Sequence, residues 1–248
     1  MPLELPKVRP HRRSSLHVEA VPQLSIIVPV YNECQTIDQV IDRLGRLSFT
    51  REIIIVDDGS DDGTVARVKS LAERPDVFAL YHDRNWGKGA AIRTAIHHVR
   101  GEVVVIQDAD LEYDPAEIER LVAPIVQGQA DVTLGSRFAG SRKSSCPRFR
   151  RLANSFLTWL SNRFSGLALT DMETCYKAMS REVAQSITVR ENRFGIEPEL
   201  VAKIARGKWR VIEVPISYQA REIDAGKKIR FRDGLRAIWC IVRYSRWD

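Results

Sequence analysis

The stretch Leu24-Ser25-Ile26-Ile27-Val28-Pro29-Val30-Tyr31-Asn32-Glu33 sets the reading of this chain. Leu24 to Val28 is a short apolar run, and Pro29 to Glu33 follows it as a loop. Beyond the loop, Ile37, Val40, Ile41, Leu44 and Leu47 recur at helical spacing, so the segment reads strand, loop, helix.

The same grammar repeats outward from there. A strand over Glu52 to Val56 leads through a Gly/Ser/Asp loop to a helix with Val65, Val68, Leu71 and Ala72 inward. A third strand near Val77 to Tyr81 precedes a helix carrying Ala91, Ile92, Ala95, Ile96 and Val99. Strand Val103 to Ile106 ends in Gln107-Asp108-Ala109-Asp110, and Pro115 opens a helix with Ile118, Leu121, Val122 and Ile125 on its inner face. Alternation of this kind predicts an α/β fold: an open, mainly parallel sheet flanked by helices. Ligands of such sheets bind outside the carboxyl ends of the strands, where these loops lie.

After a strand at Asp131 to Leu134 the pattern loosens into a Ser/Arg-rich loop from Gly135 to Cys146, then a helix bearing Leu152, Phe156, Trp159, Leu160 and Phe164. A strand at Thr174 to Met179, a helix from about Pro198 to Ala205, a strand at Arg210 to Val214 and a final helix from about Asp233 complete the chain. The expected organisation is a flexible basic, Pro-containing tail over 1–23, one domain over 24–232 and an amphipathic basic helix over 233–248.

With 44% apolar and 28% charged residues, the 248-residue chain fits a soluble globular domain able to bury its own core. Its net charge of +6 favours anionic partners such as nucleotides or acidic lipids. Cys34, Cys146, Cys175 and Cys240 are far apart, without metal-site spacing, so a reducing cytoplasm is the expected setting. No window approaches eighteen uninterrupted apolar residues, so any membrane contact is expected to be peripheral, on the cytoplasmic face.

Several loops carry chemistry. Asp108 and Asp110 stand two apart after an apolar strand, so both carboxylates project from one face and suit one hard cation, Mg²⁺ or Mn²⁺. Acidic pairs at such positions are also commonly solvated loop residues or helix caps. Val56-Asp57-Asp58-Gly59-Ser60 puts a carboxylate pair where a base or ribose could be bound. Val56 also stands where a haloacid-dehalogenase-type phosphatase needs its nucleophilic Asp, which excludes that class. In Asn85-Trp86-Gly87-Lys88-Gly89-Ala90 a Gly-flanked Lys opens a helix and suits a phosphate, though the spacing is not that of a Walker loop or a dinucleotide fingerprint.

Taken in order with Pro29-Val30-Tyr31-Asn32-Glu33 and Gly135-Ser136-Arg137-Phe138, one per strand end, these motifs resemble the inverting family 2 glycosyltransferases of GT-A fold. Within them the likeness is to the polyprenyl-phosphate glycosyltransferases, over about Leu24 to Phe231. The resemblance implies a nucleotide-sugar donor, a GDP- or UDP-hexose, held by Pro29, Tyr31, Glu33, Val56, Asp58, Lys88, Ala109 and Arg137. It implies Asp108 and Asp110 as metal ligands, with Glu112 where some members place a Gln ligand. Arg221 and Lys227, after Val214-Pro215-Ile216, match a basic pair that would stabilise the departing diphosphate. Lys228 competes with Lys227 for that place, because the family's Gly-x-Ser-Lys is here Ala225-Gly226-Lys227-Lys228.

Thr170-Asp171-Met172-Glu173 resembles the element bordering the acceptor. Asp171 is the expected base for a hydroxyl acceptor, whereas a polyprenyl phosphate needs none. On the last helix Arg232, Arg236, Arg243 and Arg246 share about one quadrant, a stripe that would suit an anionic membrane. A membrane-protein partner is the other expected dock. Nucleic acid is not an expected partner, since the basic residues are not interleaved with aromatics in an RNA-binding pattern. A nucleotide-sugar sensor without turnover would not need the intact Asp108 and Asp110.

Overall fold

The computed structural model describes residues 5–10, 21–140, 145–220 and 231–246. Its strands are β1 (Val8–Pro10), β2 (Leu24–Val30), β3 (Arg51–Asp57), β4 (Val77–His82), β5 (Val103–Ile106), β6 (Val132–Ser136), β7 (Lys177–Ser180) and β8 (Val211–Pro215). They form one sheet in the order β1-β4-β3-β2-β5-β7-β6-β8. Pairs β2–β3, β2–β5, β3–β4 and β6–β8 are parallel, and β7 runs antiparallel between β5 and β6. The mainly parallel α/β sheet expected from the sequence is therefore present, with one inserted antiparallel strand.

The helices are α1 (Ile37–Leu44), α2 (Thr64–Leu71), α3 (Lys88–Ile96), α4 (Ile118–Val126), α5 (Arg148–Ser165), α6 (Arg181–Ser186), α7 (Ile196–Arg206) and α8 (Phe231–Arg246). Strands β2, β3 and β5 are buried on both faces, which is why they read as continuous apolar runs. Helix α3 packs on β2 and β3, and α4 on β5, β6 and β7.

Three sequence expectations change. Val8–Pro10, inside the segment expected to be a flexible tail, pairs antiparallel with β4. An edge position tolerates Pro10, which has no N–H to donate, and the segment covers an otherwise open edge. The strand expected to start at Thr174 starts at Lys177. Side chains take the backbone groups upstream of it, with Met172 N–H donating to Thr158 Oγ1 and Cys175 N–H to Tyr113 Oη.

The third change concerns α8, whose arginine stripe is partly turned to the protein. Arg236 donates to both oxygens of Glu191 at 3.0 and 2.7 Å, and the Arg246 guanidinium lies 5.0 Å from the Phe164 ring centroid. Helix α8 packs against α5 and α7, so these two cations combine partners within the protein with exposure to solvent.

Gly89 marks the tightest approach to α3. A Cβ there would lie 2.2 Å from the Glu191 carbonyl oxygen, a backbone atom that cannot swing away. Gly234, in α8, has open space around its would-be Cβ. Gly89→Ala is therefore expected to cost about 1–3 kcal/mol of overpacking. Gly234→Ala should instead gain about 0.5–1 kcal/mol from helix propensity. Urea unfolding checks both, and a stabilised Gly89→Ala protein would show that the segment after Arg190 does not press on α3.

Candidate active site

The strand order reverses between β2 and β5, so the loops after these strands diverge and leave a crevice. Tyr31 and Glu33 follow β2, and Asp108, Ala109 and Asp110 follow β5. Thr36 joins the two sides: its hydroxyl oxygen is 2.9 Å from both Glu33 Oε2 and the Ala109 carbonyl oxygen. The β2 and β3 loops are locked in turn. Asn32, at φ 54°, exchanges side-chain hydrogen bonds with Asp61 at 2.7 and 3.0 Å, a conformation Asn tolerates better than most residues.

The expected nucleotide contacts fall into two groups. Pro29, Tyr31, Glu33 and Arg137 border the crevice, partly accessible. Val56 and Asp58 lie deeper. Val56 is fully buried in the sheet, which leaves only its backbone to a ligand. Asp58 accepts from Trp86 N–H at 2.9 Å and Gly87 N–H at 2.6 Å, and pairs with His82 Nδ1 at 2.7 Å. It therefore ties the β3 loop to the α3 loop, with His82 held from behind by Thr94 at 2.9 Å. Beside it, Asp57 Oδ2 is buried without a hydrogen-bond partner, and burial raises that carboxyl's pKa.

Lys88 does not sit in a phosphate cradle at the start of α3. Ala90 N–H already donates to the Asn192 carbonyl, and the flanking Gly87 and Gly89 admit the backbone of Glu191 and Asn192. The Lys88 ammonium instead contacts Asp108 Oδ1 at 2.9 Å and Glu197 Oε1 at 3.0 Å. Glu197 is shared with Lys177, which also donates to the Thr174 carbonyl. Burial works to raise the Asp108 pKa, but Lys88, helped by Lys177, outweighs it and holds the carboxyl below the ordinary range. Burial likewise works to lower the Lys88 pKa, and Asp108 and Glu197 drive it well above the usual lysine value. Asp108 is thus kept ionised.

No group of three His, Cys, Asp or Glu suited to a metal occurs among the described residues. Asp108 and Asp110 offer two hard carboxylates, a set that suits Mg²⁺ or Mn²⁺ when diphosphate and water complete the shell. Glu112 is drawn elsewhere, since Tyr218 Oη donates to its Oε2 at 2.7 Å and Gln219 N–H to its carbonyl. Glu112 N–H donates to Asp110 Oδ1 at 3.1 Å, so its backbone orients the second aspartate.

Across the crevice, Asp171 is fully buried and accepts two side-chain hydrogen bonds from Arg137 at 2.7 and 2.8 Å, and a third from Arg137 N–H. A carboxylate so engaged orients a cation; it is not placed as the base expected for a hydroxyl acceptor. Glu213 holds the same loop by accepting from Thr170 and Asp171 N–H. The Arg137 guanidinium also lies 5.1 Å from the Tyr218 ring centroid and 5.4 Å from that of Phe138. Arg221 and Lys227 lie outside the described residues.

Sequence reasoning missed Lys177 and Glu197, the charges beneath the aspartate motif, and gave Glu173 no role of its own. A Lys inside the apolar run Cys175-Tyr176-Lys177-Ala178-Met179 was the available signal, since lysines are almost never fully buried unless paired. Burial, then repulsion from Glu197, pushes the Glu173 carboxyl up to about 7 against the pull of Lys177 and Arg137, and its Oε1 has no partner.

The fold, with its loop motifs at the strand ends, is that of an α/β protein of the glycosyltransferase class. The chain belongs to Glycosyl transferase family 2, which residues 25–188 match. Undecaprenyl-phosphate 4-deoxy-4-formamido-L-arabinose transferase of Sodalis glossinidius is 32% identical over 213 residues, 84% of this chain and 63% of that protein. Glycosyltransferase AglD of Haloferax volcanii is 29% identical over 221 residues, 85% of this chain and 35% of that protein. The chain thus spans less than two thirds of the length of these relatives. Among solved structures, glucosyl-3-phosphoglycerate synthase from Mycobacterium tuberculosis, crystallised with Mn²⁺, uridine diphosphate and phosphoglyceric acid, shares the GT-A fold. It superposes with a TM-score of 0.70 at 20% identity, over 91% of this chain and 79% of that one.

The Glu173 shift makes stability depend on pH. Its folded pKa lies above the ordinary value of 4.5, so the stabilisation it gives is complete below about that pH and is lost as pH rises through 7. Glu173→Gln, which carries no charge at any pH, should therefore melt at a higher temperature than the parent at pH 8.5. At pH 4.5 the two should melt alike. Equal melting temperatures at both pH values would show that Glu173 ionises freely.

Proposed function

We propose that this chain transfers a hexosyl group, with inversion, from a GDP- or UDP-sugar to a polyprenyl phosphate at the cytoplasmic face of a membrane. The observation that carries the choice of acceptor is the engagement of Asp171. Its oxygens are committed to Arg137, so the position expected to supply a base supplies a fixed cation instead. An anionic phosphate acceptor needs no deprotonation and gains from that cation. The names of the curated relatives support the same acceptor class.

In this reading an oxygen of the acceptor phosphate attacks the anomeric carbon as its bond to the diphosphate oxygen breaks. The nucleoside diphosphate leaves with the electron pair. Asp108 and Asp110 would hold a divalent cation, which neutralises diphosphate oxygens when bound. Tyr31 and Glu33 line the donor side of the crevice, Arg137 the acceptor side, and Arg221 and Lys227 add positive charge near the leaving group. Lys88 and Glu197 act one layer below, holding Asp108 ionised and in place.

A hydroxyl acceptor is the second reading, favoured by Glu173, a carboxyl with a pKa near neutrality beside Arg137 and Asp171. Partition of radiolabelled product into organic solvent separates the two. Lipid-linked sugar moves to the solvent phase, and Glu173→Gln should leave that transfer largely intact. A product that stays in water, with Glu173→Gln lowering its rate on the order of a hundredfold or more, would replace the first reading by the second.

Asp110→Asn is expected to lower turnover by on the order of a hundredfold or more while the circular dichroism spectrum and melting temperature stay as in the parent. Chelator should abolish transfer, and Mn²⁺ or Mg²⁺ should restore it. Full activity in chelator would remove the cation from the mechanism.

A further inference from the structure

Helix α5 packs Leu157, Leu160 and Phe164 against the core but turns a second apolar row outward. Its buried positions are the polar Asn154, Thr158 and Ser161, while Phe149, Leu152, Phe156 and Trp159 are 82, 72, 52 and 61% exposed. The apolar four recur at steps of three and four residues, which aligns them along one side of the helix. The orientation is pinned by polar contacts on the other side. Thr158 Oγ1 accepts from Met172 N–H at 3.1 Å, and the Asn162 amide brackets Leu169, donating to its carbonyl at 2.8 Å and accepting from its N–H at 3.0 Å. Rolling the outward row inward would break these bonds and pull Leu157, Leu160 and Phe164 off the core. The outward stripe is thus a stable feature of the fold; on α8, which packs on α5, Leu235 and Trp239 are 55 and 46% exposed.

We infer that this face of α5 docks the chain on an anionic lipid bilayer. The charge pattern selects that occupant. Residues 148–165 contain Arg148, Arg150, Arg151 and Arg163 and no Asp or Glu. A second copy packed on the same face would bring like charges together in either helix orientation, whereas acidic headgroups complement them. An apolar strip of Phe, Leu and Trp flanked by Arg is also the composition that lies at the boundary of headgroups and acyl chains.

The face is continuous with the site. The Phe138 ring has Arg137 at 5.4 Å on its way to Asp171 and Arg151 of α5 at 5.3 Å. Met172, held by Thr158, directly follows Asp171. A bilayer under α5 would therefore present a lipid-borne phosphate on the acceptor side of the crevice. In this consequence the inference rests on the proposed polyprenyl-phosphate acceptor; the docking itself does not. On α8, Arg236 and Arg246 already have partners in Glu191 and the Phe164 ring, so the docking is assigned to α5.

The test is flotation of the full chain with vesicles of phosphatidylcholine alone or mixed with phosphatidylglycerol. At least tenfold tighter binding to the mixed vesicles is expected, with a further loss of at least tenfold in Phe156→Ser/Trp159→Ser. Brominated acyl chains should quench tryptophan fluorescence in the parent more than in Trp159→Phe, which keeps an apolar side chain at that position and so reads insertion without a loss of fold. Equal vesicle binding by the double variant, or no quenching from Trp159, overturns the proposal. A parent that is dimeric by sedimentation, becomes monomeric in the double variant and ignores vesicles also overturns it, and gives the face to a second copy. Transfer to a short, water-soluble prenyl phosphate without vesicles should be unchanged in the double variant. If the parent binds vesicles yet uses no prenyl phosphate, the acceptor reading fails and the docking face stands; transfer to the short acceptor without vesicle binding gives the reverse.

Discussion

The Lys88 ammonium, buried between Asp108 and Glu197, is the contact on which the geometry of the crevice depends. It joins the end of β5 to the start of α3 and the start of α7, three elements far apart in sequence. Removing one partner of such a group strands a charge in a poorly solvated place, at a cost of about 3–5 kcal/mol. Lys177 on β7 meets the same Glu197, so the antiparallel strand inserted into the sheet brings a second cation to the cluster. The arrangement answers an electrostatic problem: Asp108, which must stay ionised for a cation, stands where burial favours the neutral form.

The opposite wall follows a similar logic with one cation fewer. Arg137 is held by Asp171, and Asp171's loop is held by Glu213 on β8. Bidentate pairing fixes the plane of the guanidinium, so its remaining donors and its charge face a constant direction. Rings of Phe138 and Tyr218 shield it from water, which strengthens its field in the crevice. Tyr218 in turn takes up Glu112, so the carboxylate nearest the aspartate motif is turned toward the acceptor wall.

Helix α5 connects this wall to the outside. Its inward side is held by the loop that carries Asp171 and by Leu157, Leu160 and Phe164 on the core, and a second apolar row is left exposed. Among the described residues no helix is long and apolar enough to cross a membrane. An exposed strip of large apolar side chains with a basic border is a feature of surfaces that meet a partner, and large patches of this kind are uncommon otherwise.

What the sequence determined by itself was the alternation of β2, α1, β3, α2, β4, α3 and β5, because strands buried on both faces must be continuously apolar and their helices amphipathic. The loops bearing Tyr31, Asp58, Lys88, Asp108 and Arg137 were legible for the same reason, each lying just past a strand end. Partners were not legible. Lys88 reads as a phosphate ligand until Glu197, 109 residues later, is brought to it. Asp171 reads as a base until Arg137 closes on it. Of the apolar residues read on α5, Leu160 and Phe164 pack on the core while Leu152, Phe156 and Trp159 face outward, because periodicity gives the existence of a face and not its direction. The tertiary structure alone decided these partners and this direction, since the hydrogen bonds and ion pairs involved link residues whose distance along the chain carries no signal.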